Sequence, residues 1–147
     1  MKKATINVDP THIIDEVSPL IFGGFIEHLG RCVYEGVYDP DSLVADEDGF
    51  RTDVMRALGE LQMTIMRYPG GNFASGYHWE DGVGPQEQRP TVRELAWQSI
   101  ETNAFGTDEF LKILNTLDGE NVFVISHKQD VLVDKFRSTI RFEKVKN

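Results

Sequence analysis

Cysteine is almost missing from this 147-residue chain: Cys32 stands alone, so neither an internal disulfide nor a cysteine-built zinc site can form. Its thiol is expected to be packed or idle. Long apolar runs are missing too. None approaches the roughly 20 residues that a membrane-spanning helix needs, so a membrane is not an expected partner. The opening residues Met1-Lys2-Lys3-Ala4-Thr5 lead directly into alternating polar and apolar residues, without the apolar core of a secretory signal, and a cytoplasmic location is expected. Positive charge is scarce: 15 Lys and Arg against 24 Asp and Glu give a net charge of −9. That balance repels phosphates and disfavours nucleic acid as a partner, while neutral carbohydrate is indifferent to it. The scarcity is uneven. Residues 1–113 hold nine Lys/Arg and nineteen Asp/Glu, whereas residues 114–147 hold six and five, which suggests segments of two origins.

What is present reads as a packed α/β chain, with 40% hydrophobic and 10% aromatic residues. Residues 3–8 alternate as an edge strand would, and Asp9-Pro10-Thr11-His12 ends it as a turn. Residues 20–26 (Leu-Ile-Phe-Gly-Gly-Phe-Ile) are apolar at every position, the pattern of a parallel strand buried on both faces. The acidic stretch 34–51 lacks the ligand spacing of a calcium loop and reads as solvated loop. Thr52 is placed to cap a helix over 53–62, with Val54, Leu58 and Leu61 on one face. A second buried strand spans 63–68, followed by a long Gly/Pro/aromatic loop over 69–90, a length more often functional than idle. Thr107 is placed to cap a helix over 107–117, and a strand is expected at 121–126. Strands alternating with helices require a parallel sheet.

In such folds the site lies at the carboxyl ends of the strands, which singles out Glu27-His28 and the run from Arg67 to Asn72. Glu27 directly after an apolar strand suits a ligand for hydroxyls or a partner for Arg67; a purely structural Glu–Arg pair is the alternative. In Tyr68-Pro69-Gly70-Gly71-Asn72 the glycines permit close backbone approach, and the amide can both donate and accept. This is not a phosphate loop, since the lysine and the spacing are absent. Tyr77, His78, Trp79 and Trp97 offer stacking surfaces, or simple packing.

Three stretches together resemble the family 51 glycoside hydrolases, the α-L-arabinofuranosidases: residues 21–30 (IFGGFIEHLG), 65–73 (IMRYPGGNF) and 95–110 (LAWQSIETNAFGTDEF). The resemblance covers residues 1 to about 113. It implies a (β/α)₈ barrel, of which this chain holds the first two or three βα units, with residues 3–8 as a strand of a β-sandwich. It further implies that Glu27 and Asn72 hydrogen-bond the arabinofuranose hydroxyls, that Arg67 orients the catalytic carboxylates and that Trp97 lines the cleft. The implied ligand is an arabinose-containing oligosaccharide, with no metal or organic cofactor, and full-length members are often homo-oligomers. The family's acid/base is the Glu of an Asn-Glu pair after a later strand. No Asn-Glu pair occurs in this sequence, so no catalytic residue is assigned and no turnover is expected from the chain alone. A non-catalytic saccharide-binding module is the alternative.

Residues 114–147 resemble instead the carboxyl end of phage recombination-nuclease ATPases related to chromosome-maintenance proteins, with His127 at the position of a phosphate-sensing histidine. The phosphate loop and acidic pair such an ATPase needs are absent, which excludes ATP hydrolysis. A regulatory partner of a DNA-repair complex is the remaining reading of that segment, and a divergent strand and helix of the barrel is the simpler one.

Overall fold

The computed structural model describes residues 3–117 and the backbone of residues 122–124. Of the segment 114–147, residues 114–117 end a helix and 122–124 form a strand; the rest, His127 included, lies outside the described residues.

Three short strands, β1 (Gly24–Phe25), β2 (Met66–Tyr68) and β5 (Val122–Val124), form a parallel sheet in the order β1-β2-β5. Between β1 and β2 lies helix α1 (Thr52–Glu60). Between β2 and β5 come a two-stranded antiparallel ribbon, β3 (Val92–Arg93) with β4 (Ile100–Glu101), and helix α2 (Thr107–Thr116). The parallel α/β reading therefore holds for the described residues, and the ribbon adds an element that periodicity did not reveal.

The sheet is not buried on both faces. Along β2 burial alternates, with Met66 and Tyr68 buried and Arg67 exposed, and in the first strand region Ile26 and His28 are buried while Phe25 is 60% exposed. The covered face carries the core: α2 lays Phe110, Ile113 and Leu114 against Met66 and Tyr68, with the Phe110 and Tyr68 rings stacked at 4.8 Å. Phe105 is wholly buried beside them. The opposite face, with Phe25 and Arg67, stays open. An all-apolar run such as 20–26 cannot by itself distinguish one covered face from two.

Five further expectations are corrected. Residues 3–8 form no strand; Ile6 and Val8 are 88% and 84% exposed, because nothing among the described residues pairs with them. Thr52 does not cap α1: its hydroxyl donates to the Val44 carbonyl at 2.9 Å, and Arg51 takes the cap position without a side-chain bond to the helix amides. Leu61 lies past the helix end and is exposed. Gly106, not Thr107, precedes α2, and the freed amide of Gly106 is answered by the Glu109 carboxylate at 2.8 Å from within the first turn. Cys32 is exposed, so of the two readings of its thiol the packed one falls.

Candidate functional site

The parallel register explains which side chains meet. Phe25 and Arg67 are direct partners across β1 and β2, and the Ile26 amide donates to the Arg67 carbonyl at 3.0 Å. Side chains repeat every second residue along a strand, so Glu27, two beyond Phe25, shares the open face with Arg67. The Arg67 guanidinium lies over the Phe25 ring at 5.1 Å and 3.6 Å from the Glu27 carboxylate. Glu27 is largely covered, its side chain 13% exposed, while Arg67 is 47% exposed.

The loop after β2 closes over this pair. Gly70 and Gly71 both have positive φ, at 66° and 58°. A Cβ on Gly71 would fall inside the Glu27 carboxylate, and one on Gly70 would press on the Arg67 guanidinium. The two glycines thus give the backbone room for Glu27 and Arg67 themselves, whereas the sequence had suggested room for a ligand. Asn72 opens the short 3₁₀ turn Asn72–Ser75 and is exposed beside them. Glu27 and Arg67 are therefore assembled at the carboxyl edge of two neighbouring strands, and Asn72 follows directly on the glycine turn that covers them. We expect Gly71→Ala to destabilise the chain by about 1–3 kcal/mol, through positive-φ strain and the displaced carboxylate, read as a drop in thermal midpoint. An unchanged midpoint would show that the loop relaxes freely.

Trp97 is carried by a different element: it sits, 45% exposed, on the tip between β3 and β4. What ties its ribbon to the site is a buried polar network that sequence reasoning missed. Glu101, at the end of β4, receives the Tyr34 hydroxyl and the Asn103 amide (2.7 Å) on one carboxylate oxygen, and its other oxygen lies 3.2 Å from His28 Nδ1. His28 Nε2 contacts the Tyr68 hydroxyl at 3.2 Å, and Tyr68 donates onward to Tyr77 at 3.2 Å. Phe73 stacks flat on the imidazole at 4.0 Å. The neighbour of Glu27 is thus held on every side, which fixes the strand end that carries Glu27.

Burial pushes the Glu101 carboxyl up, but the hydrogen bonds from His28 and Tyr34 outweigh it and hold the group below its ordinary value. Burial and the Glu101 charge drive the Tyr34 phenol up, and burial does the same to Tyr68 and Tyr77. These phenols stay neutral at physiological pH. Of the other aromatic candidates, Tyr77 is spent in this network, His78 is exposed, and the Trp79 indole nitrogen is buried without a hydrogen-bond partner among the described residues. No group of three or more metal-ligating side chains occurs among the described residues, and no described helix is long and apolar enough to cross a membrane.

Fold and site together define a class: an α/β chain with a carboxylate, a guanidinium and an amide grouped at the carboxyl edge of a parallel sheet. The model of the alpha-L-arabinofuranosidase 1 domain family matches residues 57–140, more than half of the chain and past the 113/114 boundary, and the chain belongs to that family. It is 62% identical over 111 residues to the intracellular exo-α-(1→5)-L-arabinofuranosidase 1 of Bacillus subtilis, covering 76% of this chain and 22% of that protein. To the probable α-L-arabinofuranosidase C of Aspergillus terreus it is 53% identical over 122 residues, covering 83% and 24%. The chain thus spans about a quarter of the length of these relatives. Among solved structures, the α-L-arabinofuranosidase from Thermotoga maritima in its arabinose complex superposes with a TM-score of 0.76 at 46% identity, over 87% of this chain and 27% of that one. The family 51 enzyme from Bifidobacterium longum gives 0.69 at 52% identity, over 74% and 21%.

Proposed function

We propose that this chain supplies the sugar-holding edge of a retaining α-L-arabinofuranosidase, with Glu27 and Asn72 directed at the hydroxyls of a terminal α-L-arabinofuranosyl group. The observation that carries this is the convergence of Glu27, Arg67 and the Gly70-Gly71-Asn72 turn on one face of two adjacent parallel strands. A carboxylate accepts from vicinal hydroxyls while a neighbouring amide both donates and accepts, which suits a polyol without net charge. The open face supports the reading of these strands as the first of a (β/α)₈ barrel. Helices cover a barrel sheet from outside, as α2 does here, and the face bearing Phe25, Arg67 and Glu27 is the one such a barrel turns inward.

Retaining hydrolysis requires an acid/base and a nucleophile about 5 Å apart. Glu27 is paired with Arg67 under the glycine loop and directed at the sugar, and Glu101 is buried in its network, so neither is assigned the part of acid or nucleophile. The 147-residue polypeptide is therefore expected to bind arabinofuranosyl oligosaccharides without cleaving them. Calorimetric titration with α-1,5-linked arabinotriose tests the binding, and nitrophenol release from an aryl arabinofuranoside tests the chemistry. Saturable binding that Glu27→Gln weakens at least tenfold, with no release above a boiled control, is the expected pair of results. Binding indifferent to Glu27→Gln would overturn the assignment, and turnover would overturn the division of labour.

A further inference from the structure

Trp97 occupies a tip whose construction the site geometry above does not explain. The six residues from Glu94 to Ser99 are closed by a backbone bond from the Glu94 amide to the Ser99 carbonyl at 2.9 Å. Inside that closure the Glu94 carboxylate, only 9% exposed as a residue, accepts from the Ala96 amide at 2.6 Å with one oxygen and from the Trp97 amide at 2.5 Å with the other. No ion pair is recorded for Glu94 among the described residues. A covered carboxylate at a tip whose residues 95–99 are all exposed is a costly choice for merely closing a turn, which asparagine or glycine accomplishes without charge. What it achieves beyond closure is orientation: both amides flanking the Ala96–Trp97 junction are fixed by one rigid group, while the indole they carry remains half exposed.

We infer that Glu94 is a positioning residue, acting through Trp97, that sets the angle at which the indole meets a saccharide bound at the Glu27 edge. The inference rests on the proposed saccharide reading. The ribbon offers the right mechanical frame, since its other end is anchored by Glu101 to His28, next to Glu27. The platform is thereby held at both ends: Glu101 fixes where the ribbon stands and Glu94 fixes how its tip is turned. An aromatic face presented at a constant angle stacks on the apolar face of a sugar ring with little ordering entropy left to lose.

The test uses the whole 147-residue chain. In a Trp79→Phe background Trp97 is the sole tryptophan, so its emission reports the tip directly. Glu94→Ala is expected to raise acrylamide quenching of Trp97 and to weaken calorimetric binding of arabinotriose about fivefold to tenfold, with an intermediate effect for Glu94→Gln, which keeps one acceptor. The deciding comparison is the double substitution. If Glu94 acts through Trp97, Glu94→Ala weakens binding no further once Trp97→Ala is in place, whereas a general structural role adds its full effect in both backgrounds. Additive effects, or Trp97 quenching unmoved by Glu94→Ala, would overturn the inference. Failure of the unaltered chain to bind would instead overturn the saccharide reading, and the quenching comparison in free protein would still decide whether Glu94 holds Trp97.

Discussion

Glu101→Ala is expected to destabilise the chain by about 3–5 kcal/mol, the range for removing one member of a buried charged cluster. Three groups lose their acceptor together: His28 Nδ1, the Tyr34 hydroxyl and the Asn103 amide. All three lie at or near the core, so water does not replace the lost bonds without opening the structure. Glu101→Gln preserves the shape and some of the acceptors and should lose only about 1–2 kcal/mol. The pH dependence gives a separate handle. The Glu101 carboxyl is lowered in the folded chain, so its contribution is fully present above the ordinary carboxylate value and drains away as pH falls through the lowered one. Urea midpoints measured from neutral pH down into the acid range should therefore fall for the unaltered chain and fall less for Glu101→Gln. Parallel acid limbs would show that the network carries no ionised carboxylate.

The second large effect is expected at Arg89. Its side chain is 3% exposed and grips the Glu109 carboxylate with both terminal nitrogens, at 2.6 and 3.0 Å, while also donating to the Gly84 and Asn103 carbonyls at 2.7 and 2.8 Å. Burial works against the guanidinium charge, but Glu109 and Asp108 more than restore it. One residue thereby pins the long loop, the segment after β4 and the first turn of α2. Arg89→Met keeps the volume and strands Glu109 with a buried charge, at a cost of about 3–5 kcal/mol. Adding Glu109→Leu should recover part of that loss, because the uncompensated charge is then gone. A double variant no more stable than Arg89→Met would mean that the bonds to the two carbonyls, rather than the ion pair, carry the effect.

These two clusters mark where sequence reading ran out. Glu27 and Arg67 stand out because each directly follows apolar residues, and Asn72 because it closes the Gly-Gly turn behind them; the strand period then determines that Glu27 and Arg67 share a face. Glu101, Glu94 and Arg89 follow no such run. They stand in a stretch of loops and two-residue strands, where no periodicity of 2 or 3.6 has room to develop, and their roles depend on contacts such as Tyr34 to Glu101 that join distant parts of the chain. The stretch 95–110 had been singled out as a motif, yet only its tryptophan was given a role, since an aromatic side chain suggests a surface while a glutamate suggests nothing until its partners are seen. Helix caps failed for a related reason. Thr52 and Thr107 had the right chemistry, but each lies one residue inside its helix, and their hydroxyls donate to the Val44 and Trp79 carbonyls instead.

The sheet register also has a kinetic side. Gly24 pairs with Met66, and Met66 with Val122, so each strand contact joins residues more than forty positions apart, with no hairpin in the sheet to bring them together in advance. Local units, the two helices and the β3–β4 ribbon, can form within microseconds, but the parallel edge that gathers Glu27 beside Arg67 must wait for two large loops to close. Phe22, Phe25 and Ile21 face solvent even in the finished sheet, so they are open to other chains throughout. Refolding yield should therefore depend steeply on protein concentration, and dilution rather than added time is the condition that favours the native sheet.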